Sequence, residues 1–267
     1  MSDIVNAYQS PDTPGEPAPK KPGRFRILEL LAIIAIIGLL VALLIPATRT
    51  AVPAARRMHC SVNLKQIALA LHDYQDTYGT LPPAYIAAED GTPLHSWRVL
   101  ILPFLEQQPL YEQYRFDEPW NGPNNRKLAE QIPQVYRCPS FVPLRNHRGD
   151  TVTDDELLTQ YVALSGEQTP FPGSSSMNTR EIADGVSNTL MVVELDSECV
   201  PWMAPRDIDP LGFSRVLNVE TNCRTQHPGG LQAALADGSV RFISDKTARE
   251  TLQGLSTVSG GEEIGDY

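Results

Sequence analysis

The side chains with the widest chemical range in this chain are four cysteines and a histidine: Cys60, Cys138, Cys199, Cys223 and His227. Cysteines pair as disulfides in oxidising surroundings and act as thiolate ligands where a metal is available. An even count favours disulfides, with three connectivities open. Zinc is disfavoured, since no Cys-x2-Cys pair exists and the histidine nearest Cys223 is His227. His227 could act as a ligand or a base, with Asp237 or Glu194 as its companion. It stands before Pro228-Gly229-Gly230 at the mouth of an expected hairpin, where hydrogen bonding to a loop is the simpler role. Asp237-Gly238 is turn chemistry. Asp184, Asn188, Asp207 and Asp209 could offer oxygens to calcium, but no EF-hand spacing supports it. There is no Gly-x-Ser-x-Gly, phosphate loop or His-Glu-x-x-His motif. No catalytic residue, metal or cofactor is expected, and the chain is not read as an enzyme.

These groups must be positioned by the elements around them. Cys60, Leu64, Ile67, Leu71, Tyr74 and Tyr78 recur at alternating spacings of four and three, with Arg57, Asn63, Lys65, Gln66 and Asp73 off the line. This is one apolar stripe on a helix. Gly79 suits its end, and Pro82-Pro83 forbid continuation. Cys60 on that stripe faces the domain, so a loop cysteine such as Cys138 can reach it. Cys199 and Cys223 are then left to bridge the Pro-rich segment between them.

Upstream, Leu30 to Ile45 carries no charged or strongly polar side chain. Ile27 to Ile45 would make roughly 28 Å of helix at about 1.5 Å per residue, enough to cross a bilayer core. Lys20, Lys21, Arg24 and Arg26 crowd its N-terminal edge, which places residues 1–24 in the cytoplasm and the rest outside. Arg49, Arg56 and Arg57 on the far side pull the other way. The run is longer than a signal-peptide core and meets a poor cleavage site at Pro46-Ala47-Thr48-Arg49, so a retained anchor in the cell inner membrane is expected. Glu29 is the one acid inside the span, and an intramembrane carboxylate points to a partner. Pro46 and Pro53 should bend the helix without ending it.

Composition limits the rest. The 267 residues hold 22 basic and 32 acidic side chains, a net charge of −10, which argues against nucleic acid as a partner, since such binding needs a basic face. With 23 prolines and 18 glycines, the part after the span reads as a loop-rich domain rather than a helix bundle. Residues 1–24 are Pro-rich and patternless, a disordered leader. Ser96 can cap a helix through Leu105, Pro109 to Tyr114 adds a turn, and Asn124 to Ile132 a short helix. Strands follow at Thr189–Glu194, Gln232–Ala236 and Ser239–Ser244, the last two around Asp237-Gly238, where both turn residues would take positive φ. Thr247–Leu255 reads as a last helix, followed by an acidic tail.

Glu29 is fifth from Phe25, and a proline closes the span. With the basic leader and aromatic first residue, this resembles a type IV prepilin or pseudopilin. The segments RRMHCSVNLKQIALALHDYQDTYGTLPP (56–83), SWRVLILPFLEQQPLY (96–111), VYRCPS (135–140), IADGVSNTLMVVE (182–194) and HPGGLQAALADGSVRFIS (227–244) are similar to bacterial prepilin-like proteins with a C-terminal His-x9-Asp-Gly motif. That motif is His227 with Asp237-Gly238. The resemblance implies an α+β, pilin-like fold: a long N-terminal helix, starting as a membrane span, packed on a domain of short helices and antiparallel sheet. It divides the chain into a leader (1–24), the pilin-like helix (25–79) and an extracytoplasmic domain (80–267). It also implies a prepilin peptidase that cuts after glycine before Phe25, methylation of the new terminus, and self-assembly in which Glu29 meets a neighbour's amine. Here Arg24 holds the glycine's place and Gly23 lies one position early. A membrane-anchored structural or display protein that keeps its leader is therefore expected, with a processed pseudopilin subunit as the alternative and a metal-dependent ectoenzyme as a distant third.

Overall fold

Apolar residues one helical turn apart build the first element, helix α1, which runs from Arg24 to Tyr78 in the computed structural model. The structure describes residues 24–140, 157–195, 199–218, 227 and 229–261, with only the backbone of 24–26 and 43–53. Gly23 and Cys223 lie outside the described residues, as do the side chains of Arg24 and Phe25. The chain divides into two units, Met1–Thr50 and Ala51–Tyr267. In the first, every described side chain from Ile27 to Ala42 is exposed, with Ile27 at 59 % and Val41 at 50 %. Among the described residues no helix is long and apolar enough to cross a membrane.

In the second unit, Cys60, Leu64, Ile67 and Leu71 are fully buried, as their spacing predicts, with Ala68 and Ala70 beside them. The stripe fades at its end. Tyr74 is half-buried and Tyr78 is exposed, the two rings 4.5 Å apart. Gly79 stops the helix with φ +87°, its N–H donating to Gln75 O at 2.7 Å. This is the left-handed cap that glycine adopts without a Cβ penalty. The helix end is held from far along the chain. Asn178 Nδ2 donates to Gly79 O (2.5 Å), Gln75 Nε2 to Thr179 Oγ1 (2.9 Å), and Thr179 N to Gln75 Oε1 (2.9 Å).

Strands β1 (Tyr85–Ala87) and β2 (Pro93–Ser96) form a small antiparallel pair. Ser96 caps α2 as expected, but α2 is only Trp97–Leu100. Pro103 helps turn the rest into a 3₁₀ segment, Leu102–Leu105. Helix α3 (Gln108–Gln113) and 3₁₀ turns at Asn125–Gln131 and Gln134–Tyr136 follow. Strands β3 (Leu158–Thr159) and β6 (Val200–Pro201) pair with each other.

The main sheet is antiparallel, in the order β4 (Tyr161–Ala163), β5 (Leu190–Glu194), β7 (Gly230–Leu235), β8 (Val240–Ser244). Every residue of β4, β5 and β7 is buried. One face (Tyr161, Ala163, Met191, Ala234) joins the core that includes the α1 stripe. The other (Val162, Val193, Leu231, Ala233) packs with Phe213 and Leu217 of α4 (Pro210–Asn218) and Leu252 of α5 (Arg249–Gly254). A strand covered on both faces needs no polar alternation, which is why Leu190 to Val193 read as an unbroken apolar run. The class is α+β, as expected. The β7–β8 turn differs in detail. Gly238 alone takes positive φ (80°), Gly238 N donates to Leu235 O, and Leu235 N to Ser239 O. This is a three-residue connection with a glycine bulge rather than a two-residue turn.

Candidate metal centre

Four residues from four parts of the second unit converge in its interior. Cys60 comes from α1, Cys138 follows the 3₁₀ turn at Gln134–Tyr136, Glu194 ends β5, and His227 precedes β7. One thiol sulfur from each cysteine, an imidazole nitrogen and a carboxylate oxygen all lie within 4.8 Å of one another, and all four residues are buried. His227 Nε2 stands 3.4 Å from Glu194 Oε2, with the side chains 3 % and 4 % exposed.

The supports are specific. Asn63, one turn beyond Cys60, donates through Nδ2 to Arg137 O at 2.9 Å and to the Tyr161 hydroxyl at 3.3 Å. Tyr161 is registered opposite Glu194 across β4–β5. Cys138 N donates to Gln160 Oε1 at 2.9 Å, and Ser140 N to Cys138 Sγ at 3.4 Å. Tyr136, two residues earlier, stacks on Trp202 and donates its hydroxyl to Arg98 O at 2.8 Å.

Electrostatics follow from burial and crowding. The Cys138 thiol is held far above the usual range by its hydrogen bond with Cys60 and by desolvation, despite His227. Burial alone would lower the His227 imidazole, but the adjacent Cys138 and Glu194 side chains raise it to about 9. Desolvation, then Glu194, Cys60 and Cys138, lift the Tyr161 hydroxyl well above its ordinary value. Such a cluster can do two things: join its thiols, or present two sulfurs, a nitrogen and an oxygen to one cation.

The sequence-derived candidates sort around this point. Cys60 and Cys138 meet, as the stripe implied, but as free thiols. His227 has Glu194 as companion rather than Asp237, which is exposed and accepts Ser239 N at 2.8 Å. Cys199 is partly buried, and its sulfur donates to Leu195 O and accepts from Gln160 Nε2. The four oxygen residues considered for calcium are committed elsewhere. Asp184 accepts Gly260 N and Gly261 N, Asn188 donates to Asp184 O, Asp209 accepts Gly212 N, and Asp207 lies buried against Arg98. Glu29 is exposed on α1.

A family model described as a protein of unknown function (DUF1559) matches residues 49–207, more than half of the chain. The chain belongs to that family. DUF1559 proteins are prepilin-like proteins of bacteria. No curated protein matches this chain, and no solved structure does. The DUF1559 match holds Cys60, Cys138 and Glu194, while His227, the Asp237-Gly238 turn and the run from Phe25 to Ile45 lie beyond it.

Proposed function

We propose that this DUF1559 protein is a membrane-anchored, pilin-like surface protein that holds residues 80–267 outside the cytoplasm in a structural or display role. The observation that carries this is the exposed apolar face of α1 from Ile27 to Val41. A contiguous apolar surface of that length needs a non-aqueous neighbour. The sequence extends the run to Ile45 and sets Lys20, Lys21, Arg24 and Arg26 before it, the flank that stays cytoplasmic. Membership of a prepilin-like family is consistent with such an anchor.

Protease added outside spheroplasts tests the reading. Residues 80–267 should be degraded while residues 1–20 survive. A protected large domain, or a protein recovered wholly in the soluble fraction, would reject it. Glu29 among these apolar side chains supports a second reading, a processed subunit of a pilus-like assembly, in which a neighbour's terminal amine covers the acid.

A further inference from the structure

We propose that Cys60, Cys138, Glu194 and His227 form a structural Zn²⁺ centre that clamps α1 to the main sheet, a role independent of whether the chain is anchored in a membrane.

Distance is the first argument. Two ligands each about 2.1 Å from a tetrahedral zinc stand roughly 3.4 Å apart. Glu194 Oε2 and His227 Nε2 are 3.4 Å apart. The two sulfurs lie in the same 4.8 Å cluster, so small rotations of buried side chains bring all four atoms onto one ion.

Chemistry chooses the metal. Two thiols rule out hard cations such as calcium and magnesium, which take oxygen ligands. Two sulfurs, an imidazole and a carboxylate suit a borderline-soft ion without geometric demands of its own, which is Zn²⁺. Four protein ligands complete a tetrahedron and leave no position for a substrate or water. Closed sites of this kind are structural.

Burial supplies an independent argument. Glu194 is 4 % exposed, and among the described residues neither of its carboxylate oxygens accepts a hydrogen bond. A buried carboxylate supported mainly by one imidazole is expensive, and a shared cation relieves that cost. The shell around the site also suits a metal. Ser140 N already points at Cys138 Sγ, and N–H groups aimed at a sulfur favour the thiolate that zinc requires. Gln160 fixes the same segment through Cys138 N.

The zinc form and a Cys60–Cys138 disulfide exclude each other, because both use the same two sulfurs. A disulfide would draw the sulfurs to about 2.05 Å and leave Glu194 with His227 alone.

The test uses the full chain, purified in detergent without chelator and measured for metal by mass spectrometry. One zinc per chain is expected, lost in the Cys60→Ser/Cys138→Ser double variant and reduced at least tenfold in affinity in Glu194→Gln. Should the variants fail to fold, the wild-type chain still decides. Exchange with Co²⁺ should give thiolate-to-cobalt charge-transfer absorption and the intense visible bands of a tetrahedral site. Chelation should expose Cys60 and Cys138 together to alkylation. A metal-free chain overturns the proposal, whether its thiols are reduced or disulfide-linked. So does zinc retained by the double cysteine variant, or a cobalt spectrum without thiolate character.

Discussion

Asn63 Nδ2 donates to the Arg137 carbonyl at 2.9 Å, joining the helix turn next to Cys60 to the residue before Cys138. The same amide reaches the Tyr161 hydroxyl, so three segments meet on one side chain. Asn63→Leu removes both bonds and should cost about 1–3 kcal/mol, the range for leaving buried polar partners unmade. Urea unfolding of the variant checks it. A loss under about 0.5 kcal/mol would show that Asn63 does not hold these segments together.

Arg98 and Asp207 form a buried pair at 2.6 Å, and Asp207 also accepts Trp97 Nε1 and Ala163 N. Desolvation nonetheless raises the Asp207 carboxyl above its ordinary value, against the pull of Arg98. Asp207→Asn strands a buried guanidinium and should cost about 3–5 kcal/mol. Arg98→Met/Asp207→Asn should recover part of that loss. If the double variant is less stable than either single one, the cost does not come from the stranded charge.

His95 carries a pH dependence. Burial draws its imidazole below its ordinary 6.5, against a hydrogen bond with the Phe116 backbone, and its Nδ1 lies 2.9 Å from the Tyr114 hydroxyl. A depressed imidazole keeps its stabilising effect above 6.5, and that effect is lost as pH falls through the folded value. The stability difference between wild type and His95→Gln should therefore shrink as pH drops below 6.5. Chemical denaturation across that window measures it, and parallel curves for the two proteins would reject the assignment.

Arg24 bears on processing. A bulky cation stands where a prepilin peptidase is expected to need glycine, so most molecules should keep their leader. Mass spectrometry of the native N-terminal peptide should find residues before Phe25, and Arg24→Gly should yield a shorter form. A native protein that already begins with methylated Phe25 would move the processed-subunit reading to first place.

The helix stripe and the β7–β8 hairpin were legible because each is written locally, in side-chain period or in an Asp-Gly step. Helix α4 was not. PLGFSRVLN looks like loop composition, and its real signal is Asp209 capping Gly212 N ahead of Pro210 at the first helical position. The four-residue cluster left still less trace. Cys60 fits an apolar stripe, Glu194 ends an apolar strand, and Cys138 and His227 sit in loops, so no short spacing links them. Only the β4–β5 register and the approach of α1 to that sheet face bring them together.

The fastening of α1 by distant residues has a consequence for how the protein comes into being. Gln75 bonds to Thr179, 104 positions later, and Asn63 to Tyr161, 98 later. A chain made from its N-terminus therefore releases the helix long before the strands that cover its apolar side. Until about two-thirds of the chain has emerged, Leu64, Ile67 and Leu71 have no sheet to rest on. Contacts of such separation make folding slow and leave apolar surface uncovered meanwhile. The interval between making the helix and making β5 is the period in which nascent copies are most prone to stick to one another.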